Sequence, residues 1–422
     1  MLAAAMCVGA IAAATLTSAP AEAGDVAQAS VVSDNPANVT PNVLPDSVVT
    51  EPSVLALGHH ADTIYAGGNF HSVEKADGSK TLTRHNIVAF DADTGAIRRF
   101  APRVNGTVWA VQPYRKAIFL GGDFTTVNGV ARHAIVKVNA TTGAVVNAFA
   151  TSFSSGSVTE IRMARGRLIV GGSIPGKLIS LNPRTGHTTG YLKLAIEGTV
   201  ASNAGATDVY RFAVSPNNRR LVAIGNFTSV AGHERWRAFM VNLRSRSAFL
   251  NRWSYAPLQH MCSADSIPSY LKDVDFSPDG SYFIFVASGF VPRSGGIGTD
   301  VCDAAARFET EVASPSQPTW INYTGGDTLH STVATGAAVY VQGHQRWLDN
   351  PLGQNNAGPG AVSREGIGAI DPLTGKALSW NPGKTRGVGG KDMLATSAGL
   401  WVGSDGAYFN GEFRSRIAFC PL

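Results

Sequence analysis

Histidines and carboxylates are the side chains from which a catalytic or metal site would most readily be built. The chain has 10 histidines, and none of them falls in an H-E-x-x-H pattern or another recognised metal-ligating spacing. The G-x-S-x-G turn of serine hydrolases, the P-loop and the Rossmann glycine fingerprint are also missing. No C-x-x-C pair offers a thiolate zinc site. We therefore expect no cofactor and no metal site.

The best remaining candidates for acid–base chemistry lie in the C-terminal third of the chain. Asp327 and His330 are three residues apart, and Lys391 and Asp392 are adjacent. In the fold derived below, all four flank strands that lie near the central axis, where general acids and bases could face a substrate. They keep open the alternative of an extracellular lyase or glycoside hydrolase.

Aromatic and arginine side chains in the same third of the chain favour binding instead. Indole and phenol rings pack on sugar rings, and guanidinium groups pair with carboxylates and phosphates. We therefore favour a non-enzymatic binding surface for a glycan, a cell-envelope polymer or an extracellular protein partner. The candidate ligand-binding residues are Tyr323, Asp327, His330, Arg346, Trp347, Asp349 and Arg386. The competing interpretation is that Trp347 only packs against its own long loop.

Composition indicates a large protein made of strands and tight turns. The 422 residues are 44% hydrophobic and only 15% charged, and 46 of them are glycine. The net charge of +5 would suit a nucleic-acid partner, but the basic residues are scattered and form no run. We therefore expect no nucleic-acid binding.

One pattern, an apolar run that ends in glycine, occurs seven times and organises the chain. A short alternating strand precedes each copy, so each copy predicts a β-hairpin. The copies are IYAGGNFHSV at 64–73, IFLGGDFTTV at 118–127, LIVGGSIPG at 168–176, LVAIGNFTSV at 221–230, FIFVASGFV at 283–291, VYVQGHQRW at 339–347 and LWVGSDGAY at 400–408.

A third strand follows most copies and ends in a recurring turn. Asp or Asn stands four residues before Gly, a spacing that favours an Asx turn closed by a glycine of positive φ. The pairs are Asp91 and Gly95, Asn139 and Gly143, Asn182 and Gly186, and Asp371 and Gly375. An arginine seven residues before the Asx position recurs in four units. We interpret it as a structural residue that fixes a loop or turn and does not bind a ligand. These arginines are Arg84, Arg132, Arg235 and Arg364.

Seven four-stranded antiparallel units predict an all-β, seven-bladed β-propeller. Radial closure leaves only short protected edges. The last unit lacks a fourth strand, so we expect an N-terminal strand at about 35–50 to complete it and close the ring. Residues 24–422 would then form a single propeller domain, which we expect to be monomeric.

The stretch GGDFTTVNGVARHAIVKVNATTGAV, with GIGAIDPLTGKALSWNPGKTRGVG near the C-terminus, resembles the delta-60 repeat propellers of secreted bacterial proteins. The resemblance covers nearly all of the mature chain and implies the propeller fold and an extracellular location. It implies no activity, because propellers host lyases, hydrolases, lectins and adhesion scaffolds alike.

The first 23 residues predict a signal peptide, because an apolar stretch ends in an A-x-A pattern at Ala21–Ala23. This stretch is too short and too rich in small residues for a membrane span. Export removes Cys7 and brings the remaining cysteines into an oxidising compartment. Cys262 and Cys302 lie in loops expected on one face, so we predict a disulfide between them. Cys420 is expected to stay a buried free thiol.

Loop lengths locate the expected binding face. The loop between the second and third strands is short in units two and four, but it is long in units one, five and six. This loop and the loops between units emerge on the same face of a propeller. Because elaboration is concentrated around units five to seven, we expect the binding site there.

Overall fold

The computed structural model describes residues 26–200, 205–263 and 268–422. The predicted signal peptide and Cys7 lie outside these residues. Seven antiparallel sheets, here called blades 1 to 7, form the structure, each with its first strand innermost. In chain order, the blade strands are Ser53–His60, Thr63–Asn69 and Ile87–Asp91; Val108–Tyr114, Ala117–Gly122 and Ile135–Asn139; Val158–Ala164, Arg167–Gly172 and Leu178–Leu181; Asp208–Val214, Arg220–Asn226, Ala238–Leu243 and Ala248–Leu250; Leu271–Phe276, Tyr282–Ala287, Ala304–Glu309 and Trp320–Tyr323; Leu329–Ala334, Val339–Gly343 and Ile367–Ile370; and Asp392–Thr396, Gly399–Gly403 and Ile417–Pro421.

The fourth strand of the predicted repeat is formed to different extents around the ring. Blades 4 and 5 have it as a regular strand. In blades 1, 2, 3 and 6 a single bridge stands in its place, as between Phe90 and Ile97 in blade 1. The outermost segment of these blades follows the third strand for one residue pair and then turns away.

Seven buried apolar clusters hold the ring together, one at each interface between neighbouring blades. The cluster between blades 1 and 2 contains Tyr65, Ile118 and Leu120, and the one between blades 7 and 1 contains Trp401 and Leu57. The other five interfaces repeat this arrangement. Burial of apolar area at about 25 cal/mol per Å² makes these interfaces the main stabilising feature of the ring.

The N-terminal segment closes the ring, as the sequence predicts. The amides of Ser33 and Ala37 donate to the carbonyls of Pro421 and Phe419, so the segment lies along the outer edge of blade 7. The continuation at Asn42–Leu44 pairs with Ser72–Glu74 above blade 1. It also stays bonded to blade 7, because the Val43 amide donates to the carbonyl of Ser415, just before the last strand. The seven-bladed β-propeller predicted from the repeats is therefore confirmed.

Short hairpins cover the face that carries the loops between second and third strands, here called the loop face. They are formed by Ser72–Glu74 with Thr81–Thr83, Thr126–Val127 with Val130–Ala131, Ser229–Val230 with His233–Glu234, Trp347–Leu348 with Val362–Ser363, and Tyr408–Phe409 with Glu412–Phe413. The segment that enters a blade pairs with its hairpin, as Ile196–Glu197 does with Ser229–Val230 in blade 4. The opposite face, here called the turn face, carries the turns between first and second strands. Within the described ranges, the one helical element is the 3-10 turn Ala256–Gln259.

The recurring turn and the recurring arginine have the roles predicted for them. In each Asx turn the side-chain oxygen accepts amide hydrogens two and three residues ahead, and the glycine has positive φ. Each arginine bonds the carbonyl of the residue before it and also reaches the outer segment of its own blade. Arg84 bonds the carbonyls of Thr83 and Arg98, for example, and Arg235 bonds those of Glu234 and Asn251.

The disulfide between Cys262 and Cys302 is present, with the two Cα atoms 5.9 Å apart. Both cysteines are buried on the loop-face side of blade 5. Cys420 is a buried free thiol in the last strand, and burial raises its pKa. Both predictions about the cysteines are confirmed. No helix of the described residues is long and apolar enough to span a membrane.

Candidate functional site

A carboxylate and two arginines lie at the centre of the loop face of blades 5 to 7. Asp327 precedes the inner strand of blade 6 and is 4% exposed. Its Oδ2 accepts from Arg346 Nε at 2.9 Å and its Oδ1 from Arg346 Nη2 at 3.0 Å. Arg386, from the loop between blades 6 and 7, donates to the same Oδ1 at 3.3 Å and to the His344 carbonyl at 2.6 Å. The two arginines therefore tie three loops to one buried anion, as charge-assisted hydrogen bonds do well.

Trp347 lies beside this cluster. The Arg346 guanidinium is 4.4 Å from the centre of the Trp347 ring, a cation–π distance that helps to orient both side chains. Trp347 is half-buried, and its strand pairs with Ser363 across the blade 6 hairpin. Exposed apolar side chains lie on the surrounding loops, with Leu352 61% and Val388 68% exposed. This surface therefore combines an arginine, an indole ring and exposed apolar side chains, and arginine and aromatic residues are enriched at binding surfaces.

The innermost strands of the seven blades surround a central channel. His330 lies on the side of the cluster that is nearest to this channel. Burial and the charges of Lys391 and Lys272 lower its pKa to about 3, so the imidazole is neutral at physiological pH. Its ring centre is 5.9 Å from that of His344. The Thr328 amide donates to His344 Nε2, so His344 Nδ1 carries the proton and donates to the Val388 carbonyl at 3.2 Å.

Tyr323 and Asp349 take part in packing and do not face this surface. Tyr323 is buried, and its hydroxyl accepts the Gly298 amide and donates to the Asp300 carbonyl, which anchors the blade 5 loop. Asp349 accepts from the Asn322 side chain at 2.7 Å and from the Ala377 amide at 3.1 Å at the outer part of blade 6. The structure therefore brings together Asp327, His330, Arg346, Trp347 and Arg386 and separates the other two candidates from them.

The channel below the loop face is closed by an arginine. Arg211, on the inner strand of blade 4, bonds Glu160 Oε2 at 3.0 Å, and its Nη2 reaches the Leu55 carbonyl of blade 1 at 3.4 Å. Arg162 bonds the other oxygen of Glu160 at 2.6 Å. The cavity between these charges measures about 20 Å³, which is space for about one water molecule. A ligand on the axis can therefore occupy the mouth of the channel and not its interior.

The carboxylates of the channel wall bond the backbone of the next blade. Asp273 accepts the Thr332 amide at 3.0 Å, and Asp392 accepts the Leu57 amide at 2.6 Å. Burial outweighs the nearby Arg211 and raises the pKa of Asp273 to about 7 and that of Asp392 to about 6. Sequence reasoning missed the Glu160–Arg211 pair. The signal was a charge at the same position of two inner strands that otherwise alternate with apolar residues.

β-bulges surround the mouth of the channel. In blades 1 to 6 one residue of the inner strand has no pairing partner on the second strand, because the register shifts there. Lys391 holds the same position in blade 7. A bulge re-aims its side chain, and bulges are common beside functional sites. The residues at this position, from blade 1 to blade 7, are Leu55, Trp109, Thr159, Tyr210, Lys272, His330 and Lys391. Lys272 was also missed, although Lys-Asp recurs at 272–273 and 391–392.

Larger hollows lie elsewhere. A groove of about 460 Å³ on the turn face, at the seam of blades 7 and 1, is lined by His59, Asp62, Trp401 and neighbouring turn residues. A second groove of about 460 Å³ lies beside Phe249 and Glu311 on the same face. Turns of the repeats and the N-terminal segment form the first groove, and the outer parts of blades 4 and 5 form the second. Among the residues that the structure describes, no cluster of His, Cys, Asp and Glu could hold a metal ion.

Comparisons with known proteins agree on the architecture. No family model matches the chain, and no curated protein does. The solved structure of U3-55K is similar, with a TM-score of 0.51 and 10% identity over 92% of this chain and 100% of that one. The RRP9 WD40 repeats are also similar, with a TM-score of 0.52 and 11% identity over 92% of this chain and 98% of that one. At such low identity these likenesses show the fold alone: the chain is a β-propeller.

Proposed function

We propose that the protein is an exported, non-enzymatic binding propeller of the delta-60 repeat type. It would hold an acidic glycan or envelope polymer on the loop face of blades 5 to 7. The observation that carries this proposal is the Asp327 cluster. One buried carboxylate fixes Arg346 and Arg386, and Arg346 in turn lies against Trp347. An indole and a guanidinium held at fixed positions suit a ligand that combines a sugar ring with negative charge.

The state of the acid–base candidates supports binding over catalysis. Both oxygens of Asp327 are taken by arginine donors, and Asp392 is bonded to the Leu57 amide within the channel wall. His330 is neutral, with a pKa of about 3. A general acid or base needs a pKa near the working pH and access to the substrate, and these groups lack at least one of the two.

The disulfide supports export. Cys262 and Cys302 are paired and buried, and such bonds persist in oxidising compartments outside the cytosol. The bond also fixes the blade 5 loop beside the proposed binding face. Export itself is tested by finding the chain, cleaved after Ala23, in the culture supernatant or on the cell surface.

Binding is tested with the purified mature chain, a glycan array and isolated cell-envelope polysaccharide fractions. Trp347→Ala should weaken binding about tenfold or more, because aromatic side chains at the centre of an interface carry much of its free energy. Trp236→Ala is the matched control, since Trp236 is also half-buried on the loop face but belongs to blade 4. Equal losses in the two variants, or no binding to any fraction, would refute the proposal. Capture of a protein instead of a polymer would replace the ligand class.

The alternative of an extracellular lyase or glycoside hydrolase gains support from a residue outside the four acid–base candidates of the sequence. Asp208 stands two residues before Tyr210 near the channel mouth, and burial raises its pKa to about 7. Its Oδ1 is buried and finds no donor among the described residues. Cleavage of an envelope polysaccharide that Asp208→Asn abolishes, with binding retained, would favour this alternative. Loss of cleavage in His330→Ala alone would favour a catalytic role for His330 instead.

A further inference from the structure

The channel mouth carries a cationic wall that nothing in the Asp327 cluster uses. Lys272 and Lys391 lie at equivalent positions of blades 5 and 7, and His330 holds that position in blade 6 between them. Within the described ranges, neither ammonium group lies within salt-bridge distance of a carboxylate, and neither donates a hydrogen bond. The contact found for Lys272 is with the Tyr270 ring, whose centre is 5.3 Å from Nζ.

The two lysines are close enough to disfavour each other's charge. Burial and the charge of Lys391 lower the pKa of Lys272. Burial also lowers the pKa of Lys391. The nearby carboxylate of Asp405 opposes this, and the charge of Arg211 adds to it. The nearby carboxyl of Asp303 offsets little of this, since burial raises its own pKa to about 7. Two half-buried, unpaired cations destabilise the free protein, and such local conflicts are typical of functional sites.

Aromatic rings line the channel mouth next to the two lysines. Tyr210 stands at the equivalent position of blade 4, beside Lys272, and the phenol of Tyr270 lies near it. Directly beneath, Arg211 and Glu160 close the channel. The result is a shallow cup with a closed floor, in which the phenol rings of blades 4 and 5 lie next to the cations of blades 5 and 7.

We propose that this cup is a subsite for a sugar acid, with Lys272 and Lys391 holding the carboxylate and Tyr210 packing against the pyranose ring. The inference rests on the proposed function and specifies its ligand class. Ammonium groups recognise a carboxylate by charge and hydrogen bonding, and a phenol face packs on the apolar face of a sugar. Because the cavity below the mouth has room only for about one water molecule, a single sugar unit of a longer chain occupies the cup.

The test is titration of the full mature chain with trigalacturonate, its methyl ester and polyglycerol phosphate. Trigalacturonate should bind about tenfold or more tightly than the ester, because a hydrogen bond to a charged group is lost. Lys272→Met and Lys391→Met should each remove that preference and should raise the melting temperature of the free protein. Lys75→Met is the control, a lysine on the loop face of blade 1, and should change neither property.

Equal affinity for the acid and its ester would overturn the proposal, as would parental affinity in both lysine variants. Tighter binding of polyglycerol phosphate than of trigalacturonate would also overturn it, because the cup would then select phosphate. If Trp347→Ala weakens binding to envelope polysaccharide but the lysine variants do not, the cup inference alone fails. If none of these variants changes that binding, the proposed function fails with it.

Discussion

Blades 2 and 6 carry the same repeat pattern but differ in the loop that follows their second strands. The blade 2 hairpin closes with Asn128 and Gly129, both at positive φ. The Asn128 side chain adds two bonds to nearby backbone: its oxygen accepts the Arg103 amide and its nitrogen donates to the Gly143 carbonyl. The blade 6 loop runs from Leu348 to Val362 and is held by a buried side chain. The Asn350 amide donates to the Thr324 and Asn356 carbonyls and accepts from the Gly358 amide.

This difference shows how a propeller gains a specific surface. A tight turn needs little beyond Asn and Gly, so it can be repeated around the ring without marking any one position. A long loop must satisfy its own polar groups, and it does so with buried side chains that only one blade provides. The Asp327 cluster, the Asn350 network and the disulfide all lie in blades 5 to 7 or in the loops that lead into these blades.

The largest expected effect is loss of the blade 5 disulfide. Replacing Cys262 and Cys302 together with serine should lower the free energy of unfolding by about 2–4 kcal/mol, because the crosslink restricts the unfolded chain. Urea unfolding under oxidising conditions measures this change. Cys420→Ser makes a useful comparison outside the elaborated loops. Unchanged stability of the double variant would mean that the long loop of blade 5 is held by its other contacts.

Removal of the carboxylate at the centre of the loop face should have the next largest effect. Asp327→Ala leaves two arginines without their anion, and we expect a loss of about 2 kcal/mol, less than for a fully buried pair because both arginines are about one third exposed. Glu311→Ala is the control on the turn face. It removes an ion pair with Arg220 whose carboxylate is 75% exposed, and we expect less than about 1 kcal/mol from it. Equal losses would contradict the contrast between the two faces.

The last comparison depends on pH. The pKa of Asp273 rises from 3.8 to about 7 on folding, because burial outweighs the attraction of Arg211. Below pH 3.8 the carboxyl is neutral in both the folded and the unfolded state. As the pH rises from 3.8 to about 7, ionisation stabilises the unfolded chain but not the folded chain, so the folded protein loses stability. Asp273→Asn should therefore match the parent near pH 4 and exceed its stability near pH 8, because the amide oxygen can still accept the Thr332 amide without burying a charge.

Asp46, beside the loop between the second and third strands of blade 1, should respond with the opposite sign. Hydrogen bonds from Ser72 and from the Val48 and Val49 amides lower its pKa. Its contribution to stability is present above pH 3.8 and is lost as the pH falls through the lowered value. Asp46→Asn should therefore destabilise the protein near pH 8 and have less effect in strong acid. Urea unfolding of both variants across this pH range compares the buried channel wall with the N-terminal segment.

The fold was predictable because the same sequence pattern occurs seven times along the chain. The apolar runs, the Asx turns and the arginines before them each recur in register, so a register error in one unit is corrected by the others. The disulfide followed from the same register, since Cys262 and Cys302 lie in loops that must share a face. Prediction was least complete at the N-terminus, where the segment bonds blade 7 at Ser33, Ala37 and Val43 and also forms a strand that pairs above blade 1.

The site was less predictable because side-chain direction depends on irregular backbone. Tyr323 ends a strand and turns inward to the Gly298 amide, and Asp349 has a positive φ that directs its carboxylate to the outer part of blade 6. Neither direction follows from residue type. The bulges that bring Lys272 and His330 to the channel mouth shift the register by one residue, which a period-two pattern does not reveal.

Hydrogen exchange of the mature chain, with and without the acidic envelope polysaccharide fraction, tests the central claim most directly. We expect slower exchange in peptides that cover 288–303, 344–366 and 384–391, and no change in the hairpins of blades 2 and 4. Protection confined to the hairpins of blades 2 and 4, or to the groove between blades 7 and 1 on the turn face, would contradict the proposed binding face.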